Sequence, residues 1–271
     1  MLKSIVLCAD DYGQDELISK GIVELIQKGR LTATSCLTTS VNWKEEALWL
    51  QPLREQADIG LHFNLTEGLA LSAAYSNTYG EAFFGLPELM QRCVLRRLDP
   101  AVVAAECEAQ LDRFVDCIGF LPDFMDGHQH VHQFPLIRDV FIATYEKRLR
   151  DSGAYIRLVD QKMKVTDIFN PKKIVIQGMG ASGFKKRLMA KKIPHNPTFS
   201  GVYGLTQAAK YATIFPVFLT EVGQAGLVMC HPGKGGLRHF EYDYFASDLF
   251  LQHLKAAECQ LSKMQAALLL S

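Results

Sequence analysis

Ser4-Ile5-Val6-Leu7-Cys8-Ala9-Asp10-Asp11-Tyr12-Gly13 is an apolar run that stops at two carboxylates and a glycine. Its length and residue types are those of a buried strand. A helical pattern follows over about residues 15 to 28, with Leu17, Ile18, Ile22, Leu25 and Ile26 on one face and Gly29 as the stop. Strand, polar turn, helix is the unit from which parallel sheets are built, since parallel neighbours need a crossover that covers the sheet.

Outward from this stretch the unit recurs. Residues 34 to 39 read as a strand, 43 to 50 as a short helix and 59 to 64 as a third strand. Residues 66 to 85 read as a long irregular excursion rich in small and aromatic residues. Residues 100 to 117 form the clearest helix, with Pro100 in its first turn and Val103, Cys107, Leu111, Phe114 and Val115 spaced for burial. Residues 122 to 125 lead into Asp126-Gly127-His128-Gln129-His130-Val131-His132. Further strands are expected at 155 to 159 and 226 to 230, and helices at 136 to 149 and 248 to 270. No linker or repeat divides the chain, so one domain over 1–271 is expected, with a parallel sheet or an (α/β) barrel. In such folds functional groups collect at the carboxyl ends of the strands.

Composition narrows the function. Hydrophobic residues make up 48% and charged residues 21% of the 271, as in ordinary water-exposed domains. Lys plus Arg (29) equals Asp plus Glu (29), so no whole-chain field recruits nucleic acid or an anionic membrane. No apolar stretch reaches the ~18 residues of a membrane span. The seven cysteines are odd in number and never paired as CxxC, which fits a reducing compartment. Without a signal-peptide pattern, the expected location is cytoplasmic.

Polar residues at strand ends carry the chemistry. Asp10-Asp11 would serve as a helix cap, yet adjacent carboxylates repel and are costly to desolvate without a nearby cation. A metal supplies that charge. His62, in Gly60-Leu61-His62-Phe63-Asn64-Leu65-Thr66, reads either as a hydrogen-bonded core residue or as a ligand. His128, His130 and His132 alternate, so an extended segment would put them on one face; the spacing leaves all three as candidate ligands. His231, before Pro232-Gly233, reads as a structural hydrogen bonder or a proton donor. Arg157, mid-strand, needs a carboxylate and so orients Asp10 or meets an anionic substrate group. The run Gly178-Met179-Gly180-Ala181-Ser182-Gly183 has dinucleotide-loop spacing without a βαβ setting and reads as a mobile loop.

The four runs around Asp10-Asp11, His62, His128 to His132 and Cys230-His231-Pro232-Gly233, in this order, resemble the YdjC-like carbohydrate deacetylases, which include chitooligosaccharide and hopanoid-biosynthesis deacetylases. The resemblance extends to about residue 250. It implies an α/β fold, an irregular TIM-like (β/α) barrel of the glycoside hydrolase/deacetylase type. It also implies removal of an acetyl group from an N-acetylated amino sugar or oligosaccharide, a small-molecule substrate. Carried over, Asp11, His62 and His128 would hold one divalent ion, Asp10 would be the base, and His231 would be a pocket histidine. Arg157 and Tyr203, in Ser200-Gly201-Val202-Tyr203-Gly204, would lie beside the substrate, with His130 and His132 as orienting residues. The family's ion is magnesium, whereas one carboxylate with two imidazoles also suits zinc, cobalt or manganese. Segment 66–85 departs from the family pattern, and no final strand is apparent after residue 250. A phosphoesterase or cyclic amidase on the same frame, and a non-catalytic sugar-binding protein, are the rival readings. Segment 75–90 offers a surface for a homodimer.

Overall fold

In the computed structural model, which describes residues 2–160 and 180–270, the opening apolar run becomes strand β1 (Lys3–Tyr12). The others are β2 (Ala33–Cys36), β3 (Asp58–Phe63), β4 (Phe124–Gly127), β5 (Tyr155–Ile156), β6 (Phe199–Ser200), β7 (Gly226–Cys230) and β8 (Cys259–Leu261). All pairings are parallel, in the order β5-β4-β3-β2-β1-β7-β6, with β8 also beside β1. The sheet curls into an irregular TIM-like barrel, as expected.

Side-chain parity explains the two layers. Successive residues of a strand face opposite sides. On β1, Ile5, Leu7 and Ala9 join the large outer core beneath the helices, while Val6 and Cys8 turn inward. Inside they meet Ala33, Phe124, Tyr155, Phe199, Leu227 and Met229 from the other strands, with Met264 from the C-terminal segment. Packing inside is tight: a Cβ on Gly60 would lie 2.4 Å from the Phe124 ring. Glycine is required there for close approach.

The outer layer includes α1 (Glu16–Gln27), α2 (Trp43–Leu50), α5 (Pro100–Ile118) and α6 (Ile137–Arg148). Asp15 caps α1 by accepting from Leu17 N–H at 2.8 Å, and α5 stops at left-handed Gly119. Leu17 is itself 49% exposed, so the buried face of α1 begins at Ile18.

Three expectations are corrected. Segment 66–85 is not wholly irregular: it contains α3 (Ala73–Tyr79), and Leu69 bridges Ala82. Tyr75 and Phe83 are buried there, and Arg92 from α4 (Leu86–Val94) lies 4.0 Å over the Phe84 ring. The expected helix over 248–270 is broken into α10 (Asp248–Ala256), β8 and α11 (Met264–Leu269), because Glu258 takes a left-handed φ of 51°. The final strand therefore exists. In the glycine-rich run, Gly178 and Met179 lie outside the described residues, while Gly180 precedes α7 (Ala181–Ala190) instead of forming a longer loop. The remaining helices are α8 (Tyr211–Glu221) and α9 (His239–Ala246).

Candidate active site

The inward parity continues beyond the apolar layer. After Val6 and Cys8 comes Asp10. After Gly60 comes His62, after Phe124 comes Asp126, after Tyr155 comes Arg157, and after Met229 comes His231. Each inner row thus ends in a polar group at the C-terminal mouth, where the strands' free ends meet. Asp11 has the opposite parity. A bulge between Ala9 and Tyr12, with Asp11 at φ 67°, re-aims it into the same mouth.

Asp11, His62 and His128 offer ligand atoms that all lie within 4.8 Å of one another. Asp11 Oδ1 is 3.3 Å from His62 Nε2 and 2.9 Å from His128 Nδ1. The other nitrogen of His62, Nδ1, lies 2.6 Å from Asp126 Oδ1, which also accepts from the Ser35 hydroxyl at 2.5 Å. A histidine turned by a buried carboxylate on one nitrogen, with the other aimed at a second ligand, is the usual preparation for a metal. One carboxylate and two imidazoles fit a divalent ion of borderline hardness. Burial alone would lower both imidazoles. Asp126 and Asp10 instead raise His62 to about 9, and Asp11 with Glu67 raises His128 to about 10.

Beside this trio, Asp10 is held at both oxygens by the fully buried Arg157, at 2.6 and 2.8 Å. Arg157 Nη2 also reaches Asp126 Oδ2 at 2.8 Å. Burial opposes ionisation of Asp126, yet Arg157 and His62 hold it down at about 2. One guanidinium therefore carries two buried carboxylates, which it can do because its donors form a planar fork. Arg238 grips Asp11 from outside, donating to Oδ2 at 2.6 Å and to Gln14 at 2.7 Å.

The histidine cluster is not extended. His128–Gln133 is a 3-10 turn with Gln129 and His130 at positive φ, so the three imidazoles diverge. His128 joins the trio. His130 points at Phe199, with ring centroids 6.1 Å apart. His132 accepts a structural role, with Nε2 3.0 Å from the Arg157 carbonyl and its ring against Phe141. His231 lines the mouth near Asp11, and burial lowers it to about 4. Tyr203 turns away from the trio and donates to Glu241, which also accepts from His231 N–H at 2.6 Å. Burial raises Glu241 to about 7.

Sequence reading missed Ser35, Glu67, Asp126, Arg238 and Glu241 as site residues. Asp126 had a usable signal, since it opens the histidine cluster at the inner parity. Ser35 shares the inner parity of Ala33. Arg238 and Glu241 carry no local signal, because long-range folding alone brings them to the mouth.

Fold and geometry together define a parallel α/β barrel with a carboxylate–imidazole site of metal-binding type at its strand ends. Within that class the chain belongs to the YdjC-like protein family, whose profile matches residues 4–256. It is similar to the carbohydrate deacetylase of Danio rerio, at 36% identity over 144 residues, 51% of this chain and 44% of the relative. The chitooligosaccharide deacetylase of Yersinia pestis (strain Pestoides F) is 33% identical over 137 residues, 51% of this chain and 53% of its own length. The match thus spans about half the length of these curated relatives. A solved structure of a proposed cellobiose-phosphate cleavage protein from Enterococcus faecalis V583 aligns over 98% of this chain and 99% of its own, with TM-score 0.74 and 16% identity. A family 4 carbohydrate esterase from Streptomyces lividans aligns over 96% and 92%, with TM-score 0.51 and 8% identity. These structures show a shared fold. Among the described residues, no helix is long and apolar enough to cross a membrane.

Proposed function

We propose that the chain is a metal-dependent hydrolase that removes the acetyl group from an N-acetylated amino sugar. Two similar relatives are named carbohydrate deacetylase and chitooligosaccharide deacetylase. The observation that carries the reading is Asp10: an inward carboxylate, clamped by Arg157, beside the Asp11, His62 and His128 trio. A binding protein has no use for a fixed base next to a ligand set.

Asp11, His62 and His128 would hold the divalent ion, which when bound supplies Lewis acidity toward the acetyl carbonyl and water. Asp10 takes a proton from the attacking water, and Arg157 keeps its carboxylate aimed at the mouth. Water oxygen adds to the carbonyl carbon, the C–N bond breaks, and acetate and the free amine leave. His231 donates the proton that the departing nitrogen needs. It is neutral in the free site, takes up a proton from solvent as negative charge builds on the carbonyl oxygen, and passes that proton to the nitrogen. Asp10 returns its proton to solvent as acetate leaves. Arg238, which reaches Asp11 from the outer side of the mouth, is the side chain placed to meet sugar hydroxyls.

The donor set accepts zinc, cobalt or manganese readily and magnesium less so. The seven free cysteines suit a cytoplasmic location, and pairing of β8 with β1 supports one domain over the whole chain. Homodimer formation through segment 75–90 is tested by the solution mass. The decisive screen is acetate release from N-acetylated mono- and oligosaccharides with each ion in turn. Acetate release supports the reading; phosphate release from phosphoesters or ring opening of cyclic amides, without acetate, replaces it.

A further inference from the structure

Asp126 serves His62, and the second histidine of the trio has a carboxylate of its own. Glu67 Oε1 lies 3.1 Å from His128 Nε2 as an ion-pair contact, and this buried ring nitrogen makes no aligned hydrogen bond to any described residue. The opposite nitrogen, Nδ1, faces Asp11 Oδ1 at 2.9 Å. The geometry points to Glu67 as a positioning residue, whose carboxylate holds the proton on His128 Nε2 and so presents the Nδ1 lone pair to the ion. This inference rests on the metal reading above but not on the sugar.

The placement of Glu67 is built by buried side chains. Asn64 Oδ1 accepts from the N–H groups of Thr66 (3.0 Å) and Glu67 (3.2 Å), and Asn64 Nδ2 donates to the Glu67 carbonyl at 2.6 Å. Gln110 in α5 in turn accepts from Asn64 N–H at 2.9 Å and donates to its carbonyl at 2.7 Å. The Glu67 side chain is 46% exposed, yet Gln14 and Gln129 donate to its two oxygens at 3.0 and 3.1 Å. Backbone and side chain are therefore both directed, which a plain surface glutamate does not require. Orienting carboxylates of this kind typically change ion affinity by about 10–100-fold.

The test is a Co²⁺ titration of chelator-stripped protein, followed by visible absorption, for wild type, Glu67→Gln and Glu67→Asp. We expect Glu67→Gln to bind Co²⁺ about 10-fold or more weakly, with an altered ligand-field spectrum, an unchanged Tm without ion, and partial rescue in Glu67→Asp. Equal affinity and spectrum in wild type and Glu67→Gln would overturn the assignment of Glu67. Failure of wild type itself to bind Co²⁺ would instead overturn the metal reading. Neither outcome depends on acetate release.

Discussion

At the N-terminal end of the sheet, Asp58 accepts from Met264 N–H and Asp123 from Ile59 N–H, each at 2.9 Å. At the opposite end, Asp10, Asp11 and Asp126 face two histidines and two arginines. Burial raises both N-terminal carboxylates, Asp58 to about 6, while Arg157 and His62 outweigh burial and hold Asp126 at about 2. The same residue type thus closes backbone groups at one end and concentrates charge at the other. Carboxylates that cap peptide groups tolerate a proton. Carboxylates gathered around cations lose their purpose when protonated.

The sharpest way to break this contrast is to neutralise one member at each end. Asp10→Asn and Asp11→Asn should each reduce kcat/KM for acetate release by about 10³-fold, in line with loss of a positioned base or of charge stabilisation. Asp58→Asn should leave turnover within about twofold, as for a site remote from the chemistry. Comparable losses from both ends would erase the distinction.

Arg157→Ala probes the charged end through stability. It leaves Asp10 buried without its clamping cation and Asp126 with His62 alone, and unfolding in urea should show a loss of about 3–5 kcal/mol. A loss below about 1 kcal/mol would mean that the clamp is weak.

The N-terminal end has its own signature in pH. Because the folded state holds Asp58 above its unfolded pKa, its contribution is full below about pH 4 and is lost as pH rises through about 6. That loss is on the order of 2–3 kcal/mol. Asn keeps the oxygen that accepts from Met264, so Asp58→Asn should flatten the stability profile over this window and be the more stable protein at pH 8. Thermal unfolding from pH 4 to 8 measures this, and parallel profiles would contradict it. Smallest of all, Lys263→Ala removes a partly exposed cation 3.7 Å from Asp58 and should cost under about 1 kcal/mol by the same measurement.

These ends differ in how legible they are in sequence. Strand positions around Asp10, His62 and His231 are readable because apolar runs stop at polar residues, and Gly226–Cys230 matches its expected bounds. The turn at His128–Gln133 is hidden, since left-handed Gln129 and His130 carry no glycine to announce it. The break at Glu258 is hidden for the same reason. Arg238, 227 residues from Asp11 in sequence, reaches it only because β7 pairs with β1 and brings the segment after it to the same mouth. The N-terminal end carries no such signal: Asp58 opens β3 and Asp123 stands just before β4, each where a polar residue at a strand start is ordinary.

The most direct measurement follows acetate release from an N-acetylated chitooligosaccharide as a divalent ion is added to chelator-stripped protein. Turnover should be absent at first and rise to a plateau at one ion per chain, while Asp10→Asn should bind the same single ion and release about 10³-fold less acetate. Full turnover by the stripped protein, or wild-type turnover by ion-loaded Asp10→Asn, would contradict the account.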